Sequence, residues 1–301
     1  MAIWYTFIAG RGIIMTEKRL GFSVRIFIPD GNPEGLKIVE KSNWTGQGIV
    51  FPRALLTEAR QREELKRTGV YLLWGPGDKG QLPHAYVGEG DSVLFRLDQH
   101  AKNKDFWTHC AIFTSKDQNL NKAHVQHLES RLVGLASEAK RCTLANGNIP
   151  QKPSLSEADV ADAEAFLADM LLCLPVVGVS LFEKAKVVSP KSEDLLLKAK
   201  GIEARGVITP QGFVVRAGST AVKSETPSIH SYLTELRKTL VENGVFSDIG
   251  DAYQLTQDYT FSSPSTAAGV LRGSSANGLT EWKNNKGCKL KEIQETEAGG
   301  P

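Results

Sequence analysis

Between Tyr71 and Glu129 the chain sets out a group of side chains able to cut a phosphodiester: Tyr71, Tyr86, Arg96, His100, His109 and Glu129. A phenol can orient or activate water, a guanidinium can neutralise a phosphate, an imidazole can move a proton and a carboxylate can bind a divalent cation. Arg96 and His100 are four apart, so on a helix they share a face. Glu129 falls within a run whose apolar residues Val125, Leu128, Leu132, Leu135 and Ala139 recur at helical spacing. An unpaired carboxylate in such a stripe is costly to bury and calls for a metal or a cationic partner.

The elements that must position these groups can be read around them. Gly69 to Trp74 reads as a strand, Gly75-Pro76-Gly77-Asp78-Lys79-Gly80 as a loop and His84 to Gly88 as the returning strand. An antiparallel hairpin of this kind can bring Tyr71 and Tyr86 together on one face. Asp91 is placed to cap the next helix, which carries Arg96 and His100. Phe106 to Phe113 reads as a third strand bearing His109, and Asn121 to Lys140 as a long amphipathic helix. His124 and His127 flank its stripe and read as surface or satisfied histidines rather than ligands.

Gly69-Val70-Tyr71 and Tyr86-Val87-Gly88, followed in order by Arg96, His100 and Glu129, resemble the GIY-YIG nuclease superfamily over residues 68–150. Both motifs carry Val (Val70, Val87) at the hydrophobic position. The fourteen residues between Tyr71 and Tyr86 make a longer gap than the family's usual one. The excess falls in the Gly/Pro-rich tip, where length costs little. His109 matches a position where some homing-endonuclease members carry histidine. The family's final Asn is Asn146 or Asn148, with Asn146 preferred. The resemblance implies an α+β fold, a small mixed or antiparallel sheet flanked by helices. It implies Glu129 as the ligand of one Mg²⁺ or Mn²⁺, Arg96 on the scissile phosphate, and Tyr71 orienting water with help from His100. Tyr86 would complete the hydrogen-bond network and Asn146 would hold the elements in register.

The flanking segments read as modules. Residues 1–14 have a short apolar run interrupted by Arg11, too short to span a bilayer and without the form of a signal peptide. Residues 1–15 are expected to be disordered or a mis-called extension. Residues 16–67 read as an N-terminal β segment followed by a charged helix from Leu55 to Arg67. Its polar loop carries Trp44, read as a half-buried packing anchor; the alternative is a platform touching nucleic acid through Trp44, Lys41 and Arg53. Residues 151–200 read as a helical connector, with a capping box at Ser154-Leu155-Ser156-Glu157 and a stop at Pro175. Residues 201–296 read as a C-terminal α/β module. A hairpin spans Ala204–Val207 and Gly212–Val215, and a helix runs from Ser231 to Asn243, closed by Gly244. A second helix has Ser263 as N-cap and Pro264 at its first position, followed by a turn and strand over Asn277–Lys283 and a frayed tail from Glu295. The residues Gly218-Ser219, Phe261 to Ser265, Ala267-Ala268, Asn277-Gly278 and Trp282-Lys283 resemble a small domain of unknown function that recurs at the C-terminus of bacterial GIY-YIG proteins. Such nuclease cores rely on an attached module for target choice, so substrate recognition is expected here, with Ser263, Ser265, Arg272, Lys283 and Lys286 as candidate phosphate contacts. The other reading makes the serines caps and Trp282 core.

Composition bounds these readings. The chain has 301 residues, 41% hydrophobic and 23% charged, as expected of a soluble globular protein. A net charge of only +2 means that any DNA-binding surface must be local. Cys110, Cys142, Cys173 and Cys288 are scattered without a C-x-x-C, which excludes a zinc ribbon or disulfide framework and fits a reducing cytoplasm. The expected partner is DNA, with no membrane. A double-strand cut by one site per chain would need a dimer or sequential nicking. The expected activity is a metal-dependent DNA endonuclease, the alternative a non-catalytic DNA-binding or regulatory protein on the same scaffold. RNA is the weaker substrate, since no RNA-recognition motif is visible.

Overall fold

Short period-two runs rich in Val, Ile and aromatic residues build the sheets of this protein. In the computed structural model, residues 3–8, 13–18, 21–77, 81–117, 119–183 and 194–298 are described. The fold is mixed α+β, with four sheets and eight helices among the described residues. β1 (Ile3–Ile8) and β2 (Ile13–Lys18) pair antiparallel, Ile3 opposite Lys18, where a disordered extension was expected.

β3 (Val24–Phe27), β4 (Lys37–Lys41), β5 (Gly46–Pro52), β6 (Gly69–Gly75), β7 (His84–Gly90), β8 (His109–Ser115) and β9 (Thr143–Leu144) form one mixed sheet in the order β3-β4-β5-β8-β6-β7-β9. β5 runs antiparallel to β8, Gly46 opposite Ser115 and Pro52 opposite His109. The boundary expected after Arg67 therefore lies inside a sheet: the N-terminal β segment is part of the motif-bearing structure. The reason is that β5, GQGIVFP, is buried along almost its whole length and needs a strand on either side. The helices here are α1 (Leu56–Ala59), α2 (Val93–Asn103), α3 (Lys122–Ala139) and α4 (Glu157–Cys173). The single helix expected over Leu55–Arg67 is instead three short turns, of which α1 is one.

By proximity the chain divides into two compact units, residues 1–73, 88–129 and 151–179, and residues 74–87, 130–150 and 180–301. In the first, Ile49, Phe51, Val70, Leu72, Ile112 and Phe113 are buried. α4 packs on β4 and β5 rather than merely connecting. Trp44 lies 5.0 Å from Phe166 of α4 and 6.3 Å from Phe113, ring centre to ring centre. Lys41 pairs with Asp169 at 3.0 Å. Arg53 donates to the carbonyls of Ala101, Lys104 and Asp105 at the end of α2 and lies over Trp107. All three residues of the alternative nucleic-acid platform are thus engaged within the fold. The cap of α4 is Ser156, accepting from Asp159 N, two residues after Ser154, the first residue of the expected box.

In the second unit, β10 (Leu195–Ala199), β11 (Ile202–Thr209), β12 (Gly212–Val215) and β16 (Tyr259–Phe261) make one antiparallel sheet. β13 (Thr220–Val222), β14 (Phe246–Asp248) and β15 (Ala252–Leu255) make another. α5 (Ser231–Glu242), α6 (Pro264–Arg272), α7 (Gly278–Glu281) and α8 (Leu290–Ala298) complete it. One apolar core runs from Leu195 to Leu290, with Phe213 and Trp282 4.6 Å apart near its centre. Two expectations change. Where a turn and strand were expected over Asn277–Lys283, Gly278–Glu281 is a helical turn, α7, capped by Asn277 Oδ1 accepting from Leu279 N, and Lys283 alone makes antiparallel bridges, to Leu196 and Lys289. The expected frayed tail is helical to Ala298.

Candidate active site

Tyr71 is 1% exposed, and its hydroxyl lies 2.7 Å from His100 Nε2. The two rings are 5.6 Å apart. The ring fits because Gly88, on the neighbouring strand, has no Cβ; one built there would run into the Tyr71 hydroxyl. This is the physical content of the Tyr-x-Gly motif: its glycine is the seat of the other motif's tyrosine. Tyr71 was expected to activate or orient the attacking water with help from nearby charge or from His100, and its buried side chain places the hydroxyl against the half-buried His100.

α2 presents His100 one turn after Arg96. Ser92, not Asp91, is its N-cap residue, and Ser92 makes no side-chain capping bond. The His100 pKa is pushed down to about 4, chiefly by burial and then by the charges of Lys104 and Arg96. At neutral pH the imidazole is therefore uncharged, and its tautomer sets which partner donates in the Tyr71–His100 bond. Arg96 is exposed, with one guanidinium nitrogen 3.3 Å from Gln99 Oε1.

Glu129 is half-buried on α3. Its pKa is pushed up to about 7, first by burial and then by the carboxylate of Glu89, against the lowering effects of Arg96 and Lys122. Arg96 thus acts on both His100 and Glu129. Glu89 is held by Lys122 at 2.7 Å, and Lys122 also lies 3.8 Å from Asp91. Glu89 and Lys122 escaped the sequence reading. Glu89 follows Tyr86-Val87-Gly88 directly, and Lys122 opens α3, so position along the chain was the available signal. Among the described residues no group of three or more His, Cys, Asp or Glu could hold a metal.

His109 opens β8, exposed, with Nδ1 2.9 Å from Thr108 Oγ1, and is not among the charges that shift Glu129. Tyr86 and Asn146 belong to the second unit. Tyr86 is half-buried on β7. Asn146 accepts from Val87 N at 3.0 Å and donates to Val87 O at 2.8 Å, so its amide takes the place of a strand against β7. His124 and His127 are buried rather than superficial. They are satisfied by Asn119 O and Asp159, and by Glu164, respectively.

In the C-terminal unit Ser263, Ser265 and Arg272 have partners within the fold, whereas the side chains of Lys283 and Lys286 are exposed. Ser263 Oγ accepts from Thr266 N, and Ser265 Oγ accepts from Gly278 N. Gly278 sits against the backbone of Pro264 and Ser265 more closely than a Cβ would allow, and so closes over the start of α6. Trp282 is core and donates to Pro264 O, Arg272 pairs with Glu281, and the backbone of exposed Lys283 bridges to Leu196. Ser263 caps α6, while Ser265, inside α6, holds the first amide of α7.

Residues 195–294 match the family described as a domain of unknown function, DUF4357. No curated protein and no solved structure matches the chain. The GIY-YIG resemblance of residues 68–150 rests on the side chains named above and not on a family match.

Proposed function

We propose that the protein is a metal-dependent endonuclease that hydrolyses phosphodiester bonds of DNA through His100, Arg96, Glu129 and Tyr71. The observation that carries this reading is the 2.7 Å Tyr71–His100 hydrogen bond to an imidazole kept neutral down to about pH 4. With Nε2–H donated to the buried Tyr71 oxygen, the neutral imidazole of half-buried His100 keeps Nδ1 as the proton acceptor that can meet water. Arg96 supplies a guanidinium for the phosphate. A phosphodiester paired with Arg96 would offset one of the two charges that depress His100, making the imidazole more basic as substrate arrives.

Glu129 fits a hard divalent cation. It is a carboxylate whose ionised form is disfavoured by burial and by Glu89, a penalty that a cation would relieve. A single carboxylate suits Mg²⁺ or Mn²⁺, which keep waters and take phosphate oxygens as further ligands. When bound, the cation supplies Lewis acidity to the phosphate and charge stabilisation to the leaving oxygen.

The test is plasmid cleavage by the purified chain, with Mg²⁺ or Mn²⁺ against EDTA, on unmodified, modified and branched DNA, beside Glu129→Ala. Metal-dependent cutting lost in the variant is expected. Salt-sensitive DNA binding without cutting, unchanged in Glu129→Ala, would instead assign the scaffold to a non-catalytic binding protein.

A further inference from the structure

Outside the tyrosine–histidine–glutamate group, the first unit contains a polar pocket of about 440 Å³ whose ligand is unassigned. Two chain segments build it: Lys66-Arg67-Thr68, leading into β6, and Thr114-Ser115-Lys116, leaving β8. The inner wall is fixed by buried hydroxyls. Thr114 Oγ1 donates to Thr68 O at 2.9 Å, and Ser115 Oγ donates to Asp117 Oδ1. Arg67, exposed, donates to Ser115 O at 3.3 Å, which ties one segment to the other. Lys66 and Lys116 are exposed at the rim, paired with Glu63 and Glu40, which do not line the pocket.

Charge and shape restrict the ligand. Lys66, Arg67 and Lys116 converge against two lining carboxylates, Asp91 and Asp117. Asp117 is already occupied by Ser115 and by the backbone and side chain of Asn119, bonds that hold its carboxyl below the usual range. Asp91 faces Lys122. Among the described residues no aromatic ring lines the pocket and Leu120 is the one apolar side chain, so a stacked base is disfavoured. A sugar-phosphate unit, anionic and hydroxyl-rich, matches the cations and hydroxyls. The pocket also adjoins the catalytic group through one residue: Lys122 contacts Asp91 on the pocket wall and Glu89, whose charge acts on Glu129.

We infer that this pocket is a second phosphate subsite, gripping the backbone of the same DNA strand away from the scissile bond through Arg67, Lys116 and Lys66. The inference rests on the nuclease reading for the identity of the strand, but not on cleavage. Phosphate contacts of this kind position the strand and carry no sequence information.

The experiment measures DNA affinity against salt in the full-length, cleavage-blocked Glu129→Ala background, with Arg67→Gln/Lys116→Gln as the variant and exposed Lys152→Gln as the control. Thermal melts accompany each, and Lys66→Gln serves as the second variant if the double substitution unfolds. Each lost phosphate contact should reduce the log–log salt slope by about 1, so the double variant should lose about 2, with weaker binding of every sequence alike. Inorganic phosphate and a mononucleotide, titrated as competitors, separate a free-ligand pocket from a strand subsite. Loss of slope in the double variant alone supports the subsite even if the wild-type chain never cuts DNA. An unchanged slope in folded variants overturns it, whether or not free phosphate binds and even if cleavage is established.

Discussion

Glu129 holds its ionised form at a cost, and that cost has a sign. Its pKa of about 7 lies above the ordinary 4.5, so between those values the unfolded chain loses a proton that the folded chain keeps. Stability attributable to this group therefore falls as pH rises from 4.5 to 7 and stays reduced above. Glu129→Gln should melt higher than the wild-type chain at pH 8 and alike at pH 4, while losing cleavage. Mg²⁺ should raise the melting temperature of the wild-type chain at pH 8 and leave the variant unmoved. Calorimetry at the two pH values checks both. Tyr71→Phe removes the hydroxyl from His100 but keeps the buried ring. It should lower kcat by about 10²-fold or more while changing stability by only about 1 kcal/mol, read by single-turnover cleavage and urea unfolding.

At the scale of elements, β7 is held by two devices that a point change can separate. Gly88→Ala would drive a methyl into the Tyr71 ring and hydroxyl, whereas Gly134→Ala, in α3, meets open space. The first should destabilise by about 1–3 kcal/mol through overpacking and displace Tyr71. The second should stabilise by up to about 1 kcal/mol, because alanine favours a helix. Asn146→Ala forfeits both bonds to Val87 and should cost about 1–3 kcal/mol, since two β7 backbone groups lose their partner. Chemical denaturation of the three variants side by side tests the ordering. Gly278 plays a comparable part in the other unit, letting the α7 turn close on the start of α6.

For the whole molecule, the pH dependence of cleavage should show its acid limb near 7 and not near 6.5. His100 is already neutral there, with a pKa of about 4, while Glu129 is still ionising near 7. A limb that moves with the metal concentration would identify Glu129 as its source, because cation and proton compete for one carboxylate. A limb near 6.5, unaffected by metal, would exclude it. The core running from Leu195 to Leu290 is drawn entirely from the DUF4357 segment. A fragment of residues 194–298 should therefore unfold cooperatively by itself, as read by circular dichroism melting.

The sequence by itself determined what local chemistry can determine. Pro264 after Ser263 set the start of α6 because a cap and a fixed φ act within one turn. Gly244, at φ 63°, closed α5, and the order of Tyr71, Arg96, His100 and Glu129 was legible as a set of reactive types. Only the tertiary structure decided which of these groups meet. That Tyr71 is enclosed beneath His100, that Glu89 and Lys122 bear on Glu129, and that β5 joins the N-terminal strands to β8 all depend on pairing between residues distant along the chain. Spacing carries no record of such pairings. The hydroxyls of Ser263 and Ser265 make the same point: as residue types they suit a phosphate, yet Ser263 caps its own helix and Ser265 accepts from Gly278 N where α7 packs on the start of α6. Local sequence fixes conformations governed by neighbouring atoms, whereas burial, and the pKa shifts that follow from it, arise only when the whole chain has excluded water.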